Sequence, residues 1–254
     1  MPDLTIVPSR ERFGDLAKEG NVVPLIVDFV ADAETPASAF QKLDEEGYSF
    51  LFESAEQTEQ SGRYSFLGFH PRLIARCDGG DVTVEEGGQR RGVANPCDPL
   101  QALETVMAQF HFVAPPDLPR FAGGAVGFLG YDIARYFEPS IAAPPQDDLG
   151  LPEMIFMIMG LVVVFDHRYR RVKVVANVFL DDYENATAAY AAGETRIQEA
   201  LRRLAAPSQL PLIDALKPIS PRPVRSNTTR EKFEAAVVTA KDHIRAGDAF
   251  QIVL

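Results

Sequence analysis

Glu53-Ser54 closes the apolar run Tyr48 to Phe52, and Arg63-Tyr64-Ser65 opens the next apolar run, which continues to His70. These residues set an anion, two hydroxyls, a cation and a ring in one antiparallel neighbourhood. Such a set can hold a zwitterionic amino acid. The Glu53 carboxylate takes an ammonium group, the donors take a carboxylate, and apolar neighbours take the side chain. The same residues also describe a strand end with a solvated salt bridge. Spacing alone does not separate the two readings.

Other residue types give less. The histidines His70, His111, His167 and His243 are scattered, and none pairs at i, i+4 around a glutamate on a helix, so a metalloprotease site is unsupported. No Gly-x-Ser-x-Gly elbow exists for a hydrolase. Gly123, Gly124, Gly127 and Gly130 fit neither Gly-x-Gly-x-x-Gly nor the Walker loop, and read as glycines that let a strand bend or pack closely. Asp147-Asp148 and Asp181-Asp182 read as loop and cap residues rather than a metal pair. Cys77 and Cys97 make neither a disulfide framework nor a metal finger, and read as reduced cysteines of a cytoplasmic protein.

The elements that must position these groups follow from pattern and punctuation. Asn21 to Val30 reads as a strand. Thr35-Pro36 reads as cap plus proline opening a helix that Gly47 stops. Tyr48 to Ser54, Arg63 to His70, Leu73 to Cys77 and Val82 to Glu85 read as short strands, the last two joined by Asp78-Gly79-Gly80. Asp98-Pro99 opens a helix to about Phe110, Pro115, Pro116 and Pro119 break the chain, and Gly123 to Gly130 leads to a short helix over 131–137. After the loop prolines Pro139, Pro144 and Pro145, Ile155 to Phe165 and Val172 to Phe179 make a hairpin around 166–170. Asp181-Asp182 then caps a long Ala-rich helix to about Ala206.

Pro207, Pro211, Pro218, Pro221 and Pro223 mark a connector and a domain boundary. Thr228-x-x-Glu231 reads as a capping box for a helix with the stripe Phe233, Ala236, Val237, Ala240 and Ile244, ended by Gly247-Asp248. Phe250 to Leu254 reads as the start of a strand, and a domain that opens with one helix and one strand reads as incomplete. The predicted fold class is therefore α+β, with antiparallel sheets flanked by helices, over a region 1–226 and a second, truncated region 227–254.

The 254 residues carry a net charge of −11, with 46% hydrophobic and 24% charged residues. This is ordinary for a globular chain and excludes collagen-like and low-complexity classes. Net acidity argues against nucleic acid and against an anionic membrane surface. No stretch approaches the roughly 18 apolar residues of a membrane span, and the charged N-terminal segment lacks a signal-peptide core.

Three segments together carry a family resemblance. They are Leu51-Phe52-Glu53-Ser54-Ala55 with Gly62-Arg63-Tyr64-Ser65-Phe66-Leu67-Gly68; Gly123 to Asp132 with Arg135-Tyr136 and Glu138; and Ile244 to Leu254. In that order they resemble the N-terminal portion of anthranilate synthase component I, of the chorismate-utilising enzymes. Phe52 departs from the Leu-Leu-Glu-Ser form of the first segment, keeping an apolar residue but changing the shape of the wall. The resemblance implies conversion of chorismate and ammonia to anthranilate and pyruvate with Mg²⁺, whose ligands would lie beyond Leu254. A glutamine amidotransferase subunit would supply the ammonia.

It also implies feedback inhibition by tryptophan at a site walled by Phe52, Glu53, Ser54, Arg63, Tyr64 and Ser65. Gln251 would stand in the chorismate pocket, where the similar strand of isochorismate- and salicylate-forming enzymes carries a lysine that activates water. An amide cannot act as a general base, which suits amination by ammonia. The alternatives are aminodeoxychorismate synthase component I, disfavoured by the apolar Ile252-Val253-Leu254, and a stand-alone amino-acid-binding module. A chain lacking the catalytic half would have no synthase activity.

Overall fold

A computed structural model describes residues 4–45, 47–54, 62–94, 98–113, 115, 118, 121–138, 140–141, 146–147, 149–211 and 223–254. Cys97, Asp148, Pro116, Pro119, Pro139, Pro144, Pro145, Pro218 and Pro221 lie outside the described residues. Contacts divide the chain into two units, Met1–Leu210 and Pro211–Leu254.

The first unit is built on one antiparallel eight-stranded sheet. Its axis is a pair of long strands, β3 (Tyr64–Asp78) and β7 (Met154–Asp166), matched along nearly their whole lengths. Each outer edge of this pair is shared by two shorter strands. β8 (Arg171–Phe179) takes the C-terminal half of β7 and β6 (Ala125–Leu129) the N-terminal half. β2 (Phe50–Phe52) takes the start of β3, and β4 (Asp81–Glu86) its end. β1 (Val22–Val30) and β5 (Gln89–Gly92) add outer strands on β8 and β4.

The helices cover one face in two groups. α1 (Arg10–Leu16), α2 (Pro36–Leu43) and α4 (Ala186–Leu204) bury Phe13, Leu43 and Ile197 against Leu25, Val163 and Val174. Burying a side chain of this size fully contributes about 1.5–3 kcal/mol. α3 (Pro99–Met107) buries Ala102 and Val106 over Leu73, Ala75 and Cys77. A third cluster, with Phe50, Val126, Met157, Met159, Val162 and Val164, is packed by Phe121 and Phe66. β7 places Met157 and Val162 in it and the intervening Ile158 and Leu161 in the helix-covered clusters.

Several expectations change. Among the described residues the strands form a single sheet rather than several. Arg63 to His70 and Leu73 to Cys77 are one strand, which survives Pro71 because its register with β7 shifts between Pro71 and Leu73. His70 takes a φ of 50° there, and its carbonyl oxygen closes to 2.4 Å of where a side chain on Gly160 would begin. An irregularity of this kind is where a sheet tolerates proline. α1, capped by Ser9 on the amide of Arg12, and β5 are additional elements.

α2 ends at Asp44, not Gly47, as the chain turns extended. The cap of α4 is Asn185, whose Oδ1 accepts from the amide of Ala188 at 2.9 Å. Asp181 and Asp182 instead accept from Asn21 and Arg72. The Thr35 and Asp98 caps stand where the sequence puts them.

In the second unit, α5 (Arg230–Ala246) is capped by Thr229 rather than Thr228, and Gly247 ends it in a left-handed conformation. Phe250 to Leu254 forms no strand, because no ladder partner exists for it among the described residues.

Candidate functional site

β2 lies antiparallel to β3 with Leu51 opposite Leu67 and Phe52 opposite Phe66. Continuing that register sets Glu53 level with Ser65 and Ser54 level with Tyr64. The predicted residues therefore converge on one sheet end, but they divide between its faces. Phe50, Tyr64 and Phe66 belong to the aromatic cluster, whereas Leu51 and Leu67 belong to the helix-covered one. Alternation then puts Phe52 with Tyr64 and leaves Ser65 on the opposite face.

On the aromatic face the rings form a connected series. Phe52 lies tilted at 40° against Phe50 with centroids 4.8 Å apart, Phe66 meets Phe121 edge-on at 5.6 Å, and Tyr64 lies 5.9 Å from Phe66. Phe52 remains 53% exposed, so its ring offers a surface. Glu53 and Ser54 are exposed just past the end of β2, and the same alternation puts Glu53 with Ser65 rather than with Phe52.

Arg63 is oriented by a partner that sequence reasoning missed. Its Nε lies 3.2 Å from both carboxylate oxygens of Asp166, and its Nη2 donates to Oδ2 at 2.6 Å. The guanidinium also lies over the rings of Tyr64 and Tyr169, at 4.7 and 5.0 Å. Asp166 is 7% exposed, and its Oδ1 accepts from the amides of Arg168 and Tyr169. Burial alone would raise the Asp166 pKa, but the hydrogen bonds from Arg63 and the turn amides outweigh it and hold the carboxyl below the usual range. Burial pushes the Tyr64 phenol up, and the Asp166 hydrogen bond raises the Arg63 pKa further.

Ser65 is 2% exposed, with its Oγ 2.7 Å from Nε2 of His167. A serine against a histidine is half of a nucleophile-activating arrangement. Here the serine is shut away from any substrate, and the neighbouring Asp166 is committed to Arg63. The contact ties β3 to the β7–β8 turn. That turn read from sequence as a simple loop. The missed signal was an aspartate ending a wholly apolar strand, where a buried anion requires a cation.

Elsewhere, Gln251 is exposed and stands in the second unit. Among the described residues no group of three His, Cys, Asp or Glu side chains is placed to hold a metal ion. None of the described helices is long and apolar enough to cross a membrane. Cys77 is buried, and burial raises its thiol pKa.

Residues 47–254 match the model of the chorismate binding enzyme family, so the chain belongs to that family. Within it, the chain is similar to proteins named anthranilate synthase component 1. The one from Streptomyces coelicolor is 39% identical, over 98% of this chain and 45% of that protein. The one from Pseudomonas aeruginosa is 36% identical, over 96% of this chain and 50% of that protein. A crystal structure of anthranilate synthase component I from Streptococcus pneumoniae superposes with a TM-score of 0.58 at 27% identity, covering 87% of this chain and 46% of that one. The chain spans about half the length of the curated relatives it matches.

Proposed function

We propose that this chain is the tryptophan-sensing N-terminal portion of an anthranilate synthase component I. The protein that carries it converts chorismate and ammonia to anthranilate and pyruvate in the cytoplasm, early in tryptophan synthesis. A glutamine amidotransferase partner supplies the ammonia, and Mg²⁺ is held by residues outside this chain. The observation that carries the reading is likeness to proteins of that name over nearly the whole of this chain. The half-exposed Phe52 ring beside Glu53, Ser54, Arg63 and Tyr64 supports the regulatory part, because an amino acid with a flat apolar side chain needs a ring surface and both charges.

The 254-residue chain supplied with chorismate, ammonia and Mg²⁺ is expected to yield no anthranilate. Appearance of anthranilate fluorescence would show that the chain carries a complete catalytic centre and overturn its assignment as a sensing portion. In the intact protein, Glu53→Ala and Ser54→Ala are each expected to raise the inhibition constant for tryptophan by about tenfold, the effect of losing one charge-assisted hydrogen bond. Unchanged inhibition in both variants would sink the regulatory reading.

A further inference from the structure

The geometry points to the β7–β8 turn as the second half of this site: Asp166 positions Arg63 to receive the carboxylate of the bound amino acid, and Tyr169 adds a second ring against the guanidinium besides Tyr64. This rests on the tryptophan-sensing reading and deepens it by assigning the carboxylate end.

The argument starts from the guanidinium. Asp166 takes its Nε and Nη2 edge. Nη1 lies outside that fork and carries two further donors, so a second carboxylate can be taken in the plane of the group. A free arginine side chain samples many rotamers. This one is fixed by the fork and held against Tyr64 and Tyr169, so little freedom remains to be lost on binding. Asp166 is itself fixed by the amides of Arg168 and Tyr169, at 3.1 and 3.2 Å.

Electrostatics agree. With Asp166 ionised, the Arg63–Asp166 pair is neutral overall, and an added carboxylate meets the outer edge of the guanidinium rather than the aspartate. The aromatic face continues from Tyr64 to Phe66 and Phe121. Glu53, exposed just past β2 at the same sheet end, is the anion assigned to the ammonium, which it would reach around the end of the strand rather than from the aromatic face. Carboxylate, ammonium and ring thus have separate receivers around one sheet end. Asp166 is a positioning residue, because it touches Arg63 and not the ligand.

The test uses L-tryptophan and L-tryptophanamide, which keeps the ammonium and the indole but has no carboxylate. Both are titrated calorimetrically into the intact protein and its Asp166→Asn, Tyr169→Ala and Glu53→Ala variants. The expected result is that the unmodified protein prefers tryptophan by about tenfold. Asp166→Asn should lose most of that preference while binding the amide as before. Glu53→Ala should weaken both ligands. General damage to the fold would weaken both ligands together in Asp166→Asn, which counts against the positioning role.

Equal affinity of the unmodified protein for the two ligands overturns the inference and leaves tryptophan sensing intact. Binding of neither ligand overturns both. Should Asp166→Asn fail to fold, Tyr169→Ala decides, since Tyr169 is 59% exposed on the turn. A preference for tryptophan that survives Tyr169→Ala removes the turn from the site.

Discussion

Gly127→Ala is expected to lower the melting temperature by about 6–12 °C. Gly127 lies in β6 opposite Phe156 of β7. A methyl group there would begin 1.8 Å from the carbonyl oxygen of Ile155 and 2.8 Å from Cα of Phe156. Both obstacles are backbone of a central strand, so no rotamer change relieves the contact. β6 would have to lift from β7 and loosen the packing of Val126, which is 7% exposed. Overpacking of this kind costs about 3 kcal/mol, and each kcal/mol corresponds to roughly 2–4 °C in a chain of this size. Gly14→Ala is the control. Gly14 sits in α1 with nothing within 4 Å of the added group, so alanine should stabilise by about 0.5–1 kcal/mol through helix propensity. A Gly127→Ala midpoint within 2 °C of the parent would refute the close approach of β6.

Glu153→Ala should cost nearly as much. One carboxylate there joins segments distant in sequence. It pairs with Arg135 through Oε1, and its Oε2 accepts from Tyr136 at 2.8 Å and from the Gly80 amide at 3.1 Å. Cys77 Sγ is 3.6 Å from the same oxygen. The carboxylate thereby fastens the β3–β4 turn and the 3₁₀ turn Tyr131–Tyr136 to the start of β7. Its side chain is 15% exposed and that of Arg135 22%, so solvent screens the pair only in part. Removing it leaves a part-buried guanidinium, a phenol and an amide to find new partners, for about 3 kcal/mol. Glu153→Gln keeps an acceptor and the shape, and should recover roughly half of the loss. Equal denaturation midpoints for the parent and Glu153→Ala would show that the junction contributes nothing.

Legibility in the sequence followed the range of the signal. The Thr35-Pro36 and Asp98-Pro99 caps, the Asp78-Gly79-Gly80 turn and the hairpin of β7 and β8 are written within a few residues, and they stand as the sequence indicates. α1 was hidden because only Phe13 and Leu16 of its residues are buried, which gives too few apolar positions to show a period. β3 looked like two strands because His70-Pro71 interrupts its alternation, and only pairing with β7 carries it through. The candidate site behaved in the same way. Glu53, Ser54 and Arg63 were legible as charged and polar ends of apolar runs. Asp166, His167 and Tyr169 were not, because they come about a hundred residues later and acquire a role only when β7 is laid beside β3.

The glycine facing the His70 carbonyl also divides β7 into two reading frames. Before Gly160, odd-numbered Met157 and Met159 point into the aromatic cluster; after it, even-numbered Val162 and Val164 do. Each half alternates cleanly, but a two-residue period drawn straight through Gly160 cancels itself. This is why Met154 to Phe165 reads as a featureless apolar run. The frame constrains how the chain can change length. A residue gained or lost in the 168–170 turn disturbs the Asp166 contacts there but leaves the register of both strands intact. One gained or lost between Ile158 and Leu161 shifts one half of the strand against its neighbours, and every side chain in that half then faces the wrong cluster. Length changes at the middle of this sheet must therefore come as matched changes in β3 and β7.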